Sequence, residues 1–246
     1  MKLFNWQILL ALALIALSIV LYAIHFAIFR DSHHIFIYLL GDIAFIPIEV
    51  LLVTLVLHQL LNRREKRAML EKMNMVIGAF FTEVGTELLR NLSQLDSNVD
   101  TIRTQLVPTG DWSDQRFRDA SRSVKQHRSA VECTREDLAG LRGFLGEKEG
   151  FVLRLLENPN LLEHDMFTDL LWAVSHLAEE LAYRQNLGDI PDTDHAHLIG
   201  DMERAYKLLI AEWLDYMKHL KNHYPYLYSL AVRTNPFDTE ARPEVA

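Results

Sequence analysis

The sequence predicts an all-α protein: a two-span transmembrane helical hairpin whose second span continues into a cytoplasmic bundle of about four helices. Three observations carry this expectation. Two apolar stretches near the start are each long enough to cross a bilayer, apolar residues after them recur at steps of three and four, and no stretch alternates as a strand would. The expected organisation is a hairpin over residues 1–61, with spans at about 8–29 and 35–57, a helical bundle over 62–233, and a poorly ordered tail over 234–246.

The first span, Ile8–Phe29, is apolar apart from Ser18, Tyr22 and His25. Its 22 residues exceed the roughly 7 to 15 of a signal-peptide core, so it reads as a retained helix. Ala11, Ala13 and Ala16 are small enough to suggest cleavage as the alternative, but no clear polar cleavage region follows them.

The second span carries two carboxylates, Asp42 and Glu49. An acidic side chain near the middle of a bilayer costs on the order of 2.5 to 3.5 kcal/mol on insertion scales, so such residues rarely face lipid. A separation of seven residues is nearly two helical turns, which puts both acids on one face with Tyr38 and Val53 close to the same line. Pro47 between them removes one amide hydrogen bond and presses on the carbonyl of Ile43, predicting a kink. With Gly41 beside Asp42, this part of the span offers backbone and carboxylate oxygen, ligands suited to a hard cation or a proton relay. Asp42, Glu49 and Tyr38 are therefore candidates for an ion pathway, and Gly41 and Pro47 for its gating or kink. The structural alternative has Asp42 hydrogen-bonded to Ser18, Tyr22 or His25, or to a neighbouring subunit, with burial keeping the acids protonated.

Basic residues set the expected orientation. Arg63, Arg64, Lys66 and Arg67 follow the second span, whereas the connecting turn, residues 30–34, has only Arg30 beside Asp31. This bias predicts both termini in the cytoplasm, in an inner or plasma membrane. The four basic residues serve as topology determinants or lipid-headgroup contacts. His33 and His34 read as a polar interfacial turn.

Net charge is −8 with a pI near 5.7, which disfavours a phosphate-binding surface and excludes nucleic acid from the expected partners. Cys133 is the sole cysteine, so there is no intrachain disulfide.

The bundle is divided by proline and glycine. Between residues 61 and 106 there is no proline, and Leu70, Met73, Ile77, Phe80, Val84 and their successors to Leu106 form a helix seam. One long helix is expected there, packed either within the chain's own bundle or, as its length favours, against partner helices. Pro108 and Gly110 end it, and Asp111 or Ser113 caps a polar second helix. Gly140, Gly143, Gly146 and Gly150 then either break that helix or form a close-contact stripe. After Pro159, Asn160 and Glu163 resemble a capping box for a third helix with Leu162, Met166, Leu170, Val174, Leu177 and Leu181 on one face. A fourth starts near Thr193 or Asp194 and turns Leu198, Met202, Ala205, Leu209, Trp213, Tyr216 and Leu220 inward. Pro225 opens a short aromatic segment over 224–232.

Histidine spacing tempts a metal hypothesis: His176 with Glu180, His197 with Asp201 and His219 with His223 are each four residues apart. With 11 histidines and 33 acids, roughly 1.5 such His-to-acid pairs arise by chance and two are present, so spacing alone predicts no metal and no cofactor. No phosphate loop, nucleophile elbow or zinc-protease motif occurs, and enzymatic chemistry is not expected.

Two functions remain. The favoured one is a homo-oligomeric membrane protein whose acid-bearing second span lines a cation or proton pathway coupled to the cytoplasmic helices. The other is a membrane-tethered helical scaffold or sensor that binds a cytoplasmic protein partner and conducts nothing. Both have the lipid bilayer as a partner.

Overall fold

Two long apolar helices open the chain, and a helical unit with a continuous core follows. The computed structural model describes residues 2–159, 161 and 164–245, with side chains for all of these except 2–5, 7, 66–68 and 70. Two compact units divide at Met1–Glu65 and Lys66–Ala246. Among the described residues the secondary structure is helical, and the sole β feature is an isolated bridge between Asp96 and Val131.

In the first unit, α1 (Lys2–Phe29) ends at Arg30, whose φ of 51° is left-handed and whose N–H donates to the Phe26 carbonyl at 2.9 Å. Asp31 then caps α2 (Ser32–Phe80), its Oδ1 accepting from the N–H of His33 at 2.9 Å and of His34 at 3.2 Å. The connection is thus shorter than expected: His33 and His34 belong to the first turn of α2 and not to the turn. Mean hydropathy is 2.6 over Ile8–Phe29 and 2.2 over Ser32–Glu65, and no described residue of this unit is buried. Helix α2 is continuous through Pro47.

In the second unit, Met73, Ile77 and Phe80 at the end of α2 are buried. A π-helical segment, Phe81–Gly85, follows, and then α3 (Thr86–Leu95). Phe80 meets Phe167 edge-on at 5.5 Å and Phe81 stacks on Tyr216 at 5.0 Å. A Cβ at Gly85 would lie 2.7 Å from the Phe81 ring and 2.8 Å from that of Phe80, so glycine is what admits both rings here.

The long helix expected to reach residue 106 stops at Asp96, which is extended at φ −84° and ψ 103°. Its buried carboxylate is the cause. Oδ1 accepts from the N–H groups of Asn98 and Ala130, each at 3.0 Å, and Oδ2 lies 2.8 Å from His127 Nε2. A short α4 (Asp100–Arg103) resumes the path, and Val99, Ile102 and Leu106 are buried as the seam requires. The seam is correctly read as core, but it is covered by its own chain.

The expected second helix is two. Ser113 caps α5 (Asp114–Gln126) by accepting from the Arg116 N–H at 3.2 Å, and the chain turns extended at His127. Thr134 and Asp137 form a capping box at the start of α6 (Arg135–Leu156), which contains all four glycines. A Cβ at Gly140, Gly143 or Gly146 would meet nothing within 4 Å, so they form neither a break nor a close-contact stripe.

Helix α7 (Asp165–Tyr183) is capped by His164, whose Nδ1 accepts from the Phe167 N–H at 3.2 Å. The predicted Asn160–Glu163 capping box and Leu162 lie outside the described residues. A 3-10 turn, Leu187–Asp189, leads to α8 (Asp192–His223), and Pro225 is the first residue of α9 (Pro225–Arg233). Helix α8 is central, packing on α3, α5, α7 and α9, and its predicted inward residues are buried apart from half-buried Tyr216. The tail, expected to be poorly ordered, docks instead: Asn235 donates to the Leu106 carbonyl at 2.8 Å, and the buried Phe237 ring meets Trp213 at 5.5 Å.

Candidate functional site

Asp42 and Glu49 are exposed on α2, and among the described residues neither has a hydrogen bond or ion pair. Among the described residues, Ser18, Tyr22 and His25 make no hydrogen bond to Asp42. Tyr38 rests its ring on His34 at 4.8 Å, and Gly41 has nothing within 4 Å of its Cβ position. Arg63 and Arg64 are exposed, while the side chains of Lys66 and Arg67 lie outside the described residues. The helix holds the predicted residues in one register but gathers no constellation around them.

A constellation does form between α7 and α8. The short 184–191 connection folds α8 back along α7, and this brings the pair His176 and Glu180 opposite the pair His197 and Asp201. His176 Nε2 lies 3.5 Å from Asp201 Oδ2 and 3.9 Å from Glu180 Oε1. His197 Nε2 lies 3.3 Å from the same Asp201 oxygen and 3.7 Å from Glu180 Oε2. One ligand atom from each of His176, Glu180 and His197 falls within 4.8 Å of the others.

Each carboxylate is oriented from outside. Arg184 donates to Glu180 Oε2 at 2.7 Å and forks onto Asp194 at 2.5 and 2.7 Å, and these bonds hold both carboxyls below the usual carboxylate range. Arg204 takes Asp201 Oδ1 at 2.8 Å. Asp201 itself is only 3 % exposed, and its Oδ2 has no hydrogen-bond partner although two imidazoles face it. His176, Glu180 and His197 are spaced so that they could hold a metal ion, a role the histidine spacing was not expected to carry. Chance pairing accounts for each i,i+4 pair alone; the available signal was that the two pairs occupy helices joined by a short connection and so meet.

A second buried acid sits further along α8. Glu212 is 1 % exposed, with Oε1 3.9 Å from His164 Nε2 and Oε2 unpartnered among the described residues. Burial, with a smaller contribution from Asp215, pushes its carboxyl up to about 8.

Comparison with known proteins adds family membership. A family described as "Uncharacterized protein MJ1433, C-terminal helical domain" matches residues 69–233, and one described as "MJ1433, N-terminal helical domain" matches residues 2–61. The protein described as Uncharacterized protein MJ1433, from Methanocaldococcus jannaschii, is 45 % identical over 237 residues, covering 96 % of this chain and 95 % of that protein. No solved structure matches the chain.

Proposed function

Since the chain belongs to the MJ1433 family in both its N-terminal and its C-terminal helical domains, we propose that it is a membrane-tethered helical scaffold or sensor. In this reading α1 and the apolar part of α2 cross the bilayer, both termini are cytoplasmic, and the unit from Lys66 onward binds a protein partner. The observation that carries it is the fate of the long seam. Met73, Ile77, Phe80, Val84, Leu88 and Leu92 are buried by the chain's own helices. The apolar face that favoured a multi-subunit pore is thereby used up within one subunit, and a chain with two apolar helices cannot enclose a pore alone.

A second reading keeps the cation or proton pathway through a homo-oligomer. It is favoured by Asp42 and Glu49, which have no partner among the described residues and would gain one at a shared axis. Reconstitution in liposomes separates the two. The tether reading predicts that protein resistant to alkaline extraction gives equal cation and proton flux for wild type and the Asp42→Asn, Glu49→Gln double variant. Carboxylate-dependent flux at unchanged oligomer mass would refute it in favour of the pathway. Extraction of the protein from membranes by alkaline carbonate would refute both.

A further inference from the structure

We propose that His176, Glu180 and His197, with Asp201 facing both imidazoles, bind one divalent transition-metal ion of the Zn2+ class, clipping α7 to α8. The site stands whether or not the apolar helices cross a bilayer. Its separations are the first reason. Metal–nitrogen and metal–oxygen bonds of about 2.0 to 2.2 Å in a tetrahedral ion put neighbouring ligand atoms roughly 3.4 Å apart. Both imidazoles lie close to that distance from one Asp201 oxygen, at 3.5 and 3.3 Å, and they lie 3.9 and 3.7 Å from the two different oxygens of Glu180. One ligand atom from each of His176, Glu180 and His197 falls within 4.8 Å of the others.

An ordinary ion-pair cluster would be tighter. Where this chain pairs a histidine directly with a buried carboxylate, His127 Nε2 and Asp96 Oδ2 close to 2.8 Å. At the α7–α8 cluster neither imidazole makes a hydrogen bond with either carboxylate, and the buried Asp201 Oδ2 is left without one while facing both rings. Leaving a buried carboxylate oxygen unmatched is costly, and an ion between the rings and the acids removes that cost.

The chemistry of the donors selects the ion. Two imidazole nitrogens with two carboxylate oxygens suit Zn2+, Co2+ and related first-row ions, whereas Mg2+ and Ca2+ take oxygen ligands alone. Arg184 on Glu180 and Arg204 on Asp201 supply the outer hydrogen bonds that orient ligating carboxylates. His176 and His197 are 46 % and 54 % exposed, which gives an ion a path from solvent. Such an ion would join α7 to α8, so the expected role is structural.

Full-length protein in detergent, stripped with chelator, is titrated with Co2+ alone. The expected result is one equivalent bound with the intense visible absorption of tetrahedral Co2+, its displacement by Zn2+, and a rise in melting temperature. His176→Ala and His197→Ala, both at half-exposed positions, are expected to weaken binding at least about 100-fold, and Arg204→Ala roughly 10- to 100-fold. A His219→Ala, His223→Ala double variant is expected to bind as wild type does. Failure to bind a stoichiometric ion overturns the proposal, as does undiminished binding in a His176→Ala, His197→Ala double variant of native helicity.

Discussion

Replacing Glu212 by glutamine is expected to remove most of a pH dependence of stability that this one carboxyl imposes. Glu212 is buried on α8, the imidazole facing it is that of His164, and Asp215 adds a second acid; Lys218, Lys125 and His164 act on Asp215 in the opposite sense. His164 Nδ1 accepts the Phe167 N–H, so the neutral ring carries its hydrogen on Nε2, but 3.9 Å to Oε1 is too long for a hydrogen bond. The folded chain therefore holds the Glu212 proton up to about 8, whereas an unfolded chain releases it near 4.5. Between these values unfolding releases a proton, so stability from this group is full below pH 4.5 and is lost as pH rises towards 8. At about 1.4 kcal/mol per pH unit the loss is on the order of 5 kcal/mol, a large part of a typical 5 to 15 kcal/mol of folding stability. Urea unfolding of full-length wild type and Glu212→Gln, followed by tryptophan fluorescence at pH 5, 7 and 9, measures it. The variant should gain on wild type steadily, by a few kcal/mol between pH 5 and 9, and any constant cost of the amide cancels in that comparison. A difference independent of pH, or one that grows in favour of wild type at pH 9, would refute the reasoning.

Other substitutions test other parts of the fold. Asp96→Ala leaves two backbone N–H groups and the nearly buried His127 without their acceptor, and should cost about 3 to 5 kcal/mol in urea unfolding, with new protease cleavage near residues 127–131. A loss below about 1 kcal/mol would mean that this carboxylate does not hold the break after α3. Gly143→Ala adds a methyl group in open space within α6 and should raise stability by about 0.5 to 1 kcal/mol; a loss would reveal a surface packed there in solution. Gly85→Ala drives a Cβ against the rings of Phe80 and Phe81 and should lower stability by about 1 to 3 kcal/mol, visible as a lower melting temperature.

Much of the helical order was legible because it is written locally. Apolar steps of three and four marked the inward faces of α7 and α8, and Leu170, Val174, Leu177, Leu198, Met202 and Leu209 are buried as those steps require. Ser113 marked a cap through its hydroxyl, whereas Pro225, read only as opening a short aromatic segment, starts α9. The break at Asp96 was not legible, since an aspartate in a helical pattern ends the helix only when distant groups, here Ala130 and His127, reward the extended conformation. Phe237 was lost in a polar, proline-bearing tail because a single aromatic residue has no periodicity to announce it.

The sequence by itself therefore determined an all-helical chain, two helices apolar enough for a bilayer and the residues that face the core, because each depends on neighbours within a few turns. Tertiary structure decided what those helices bring together. The seam closes on its own chain, the tail locks onto Trp213, and His176, Glu180, His197 and Asp201 meet across α7 and α8. Such meetings depend on the pairing of elements distant in sequence, and the spacing of residues along one helix contains no record of which face of another helix it will meet.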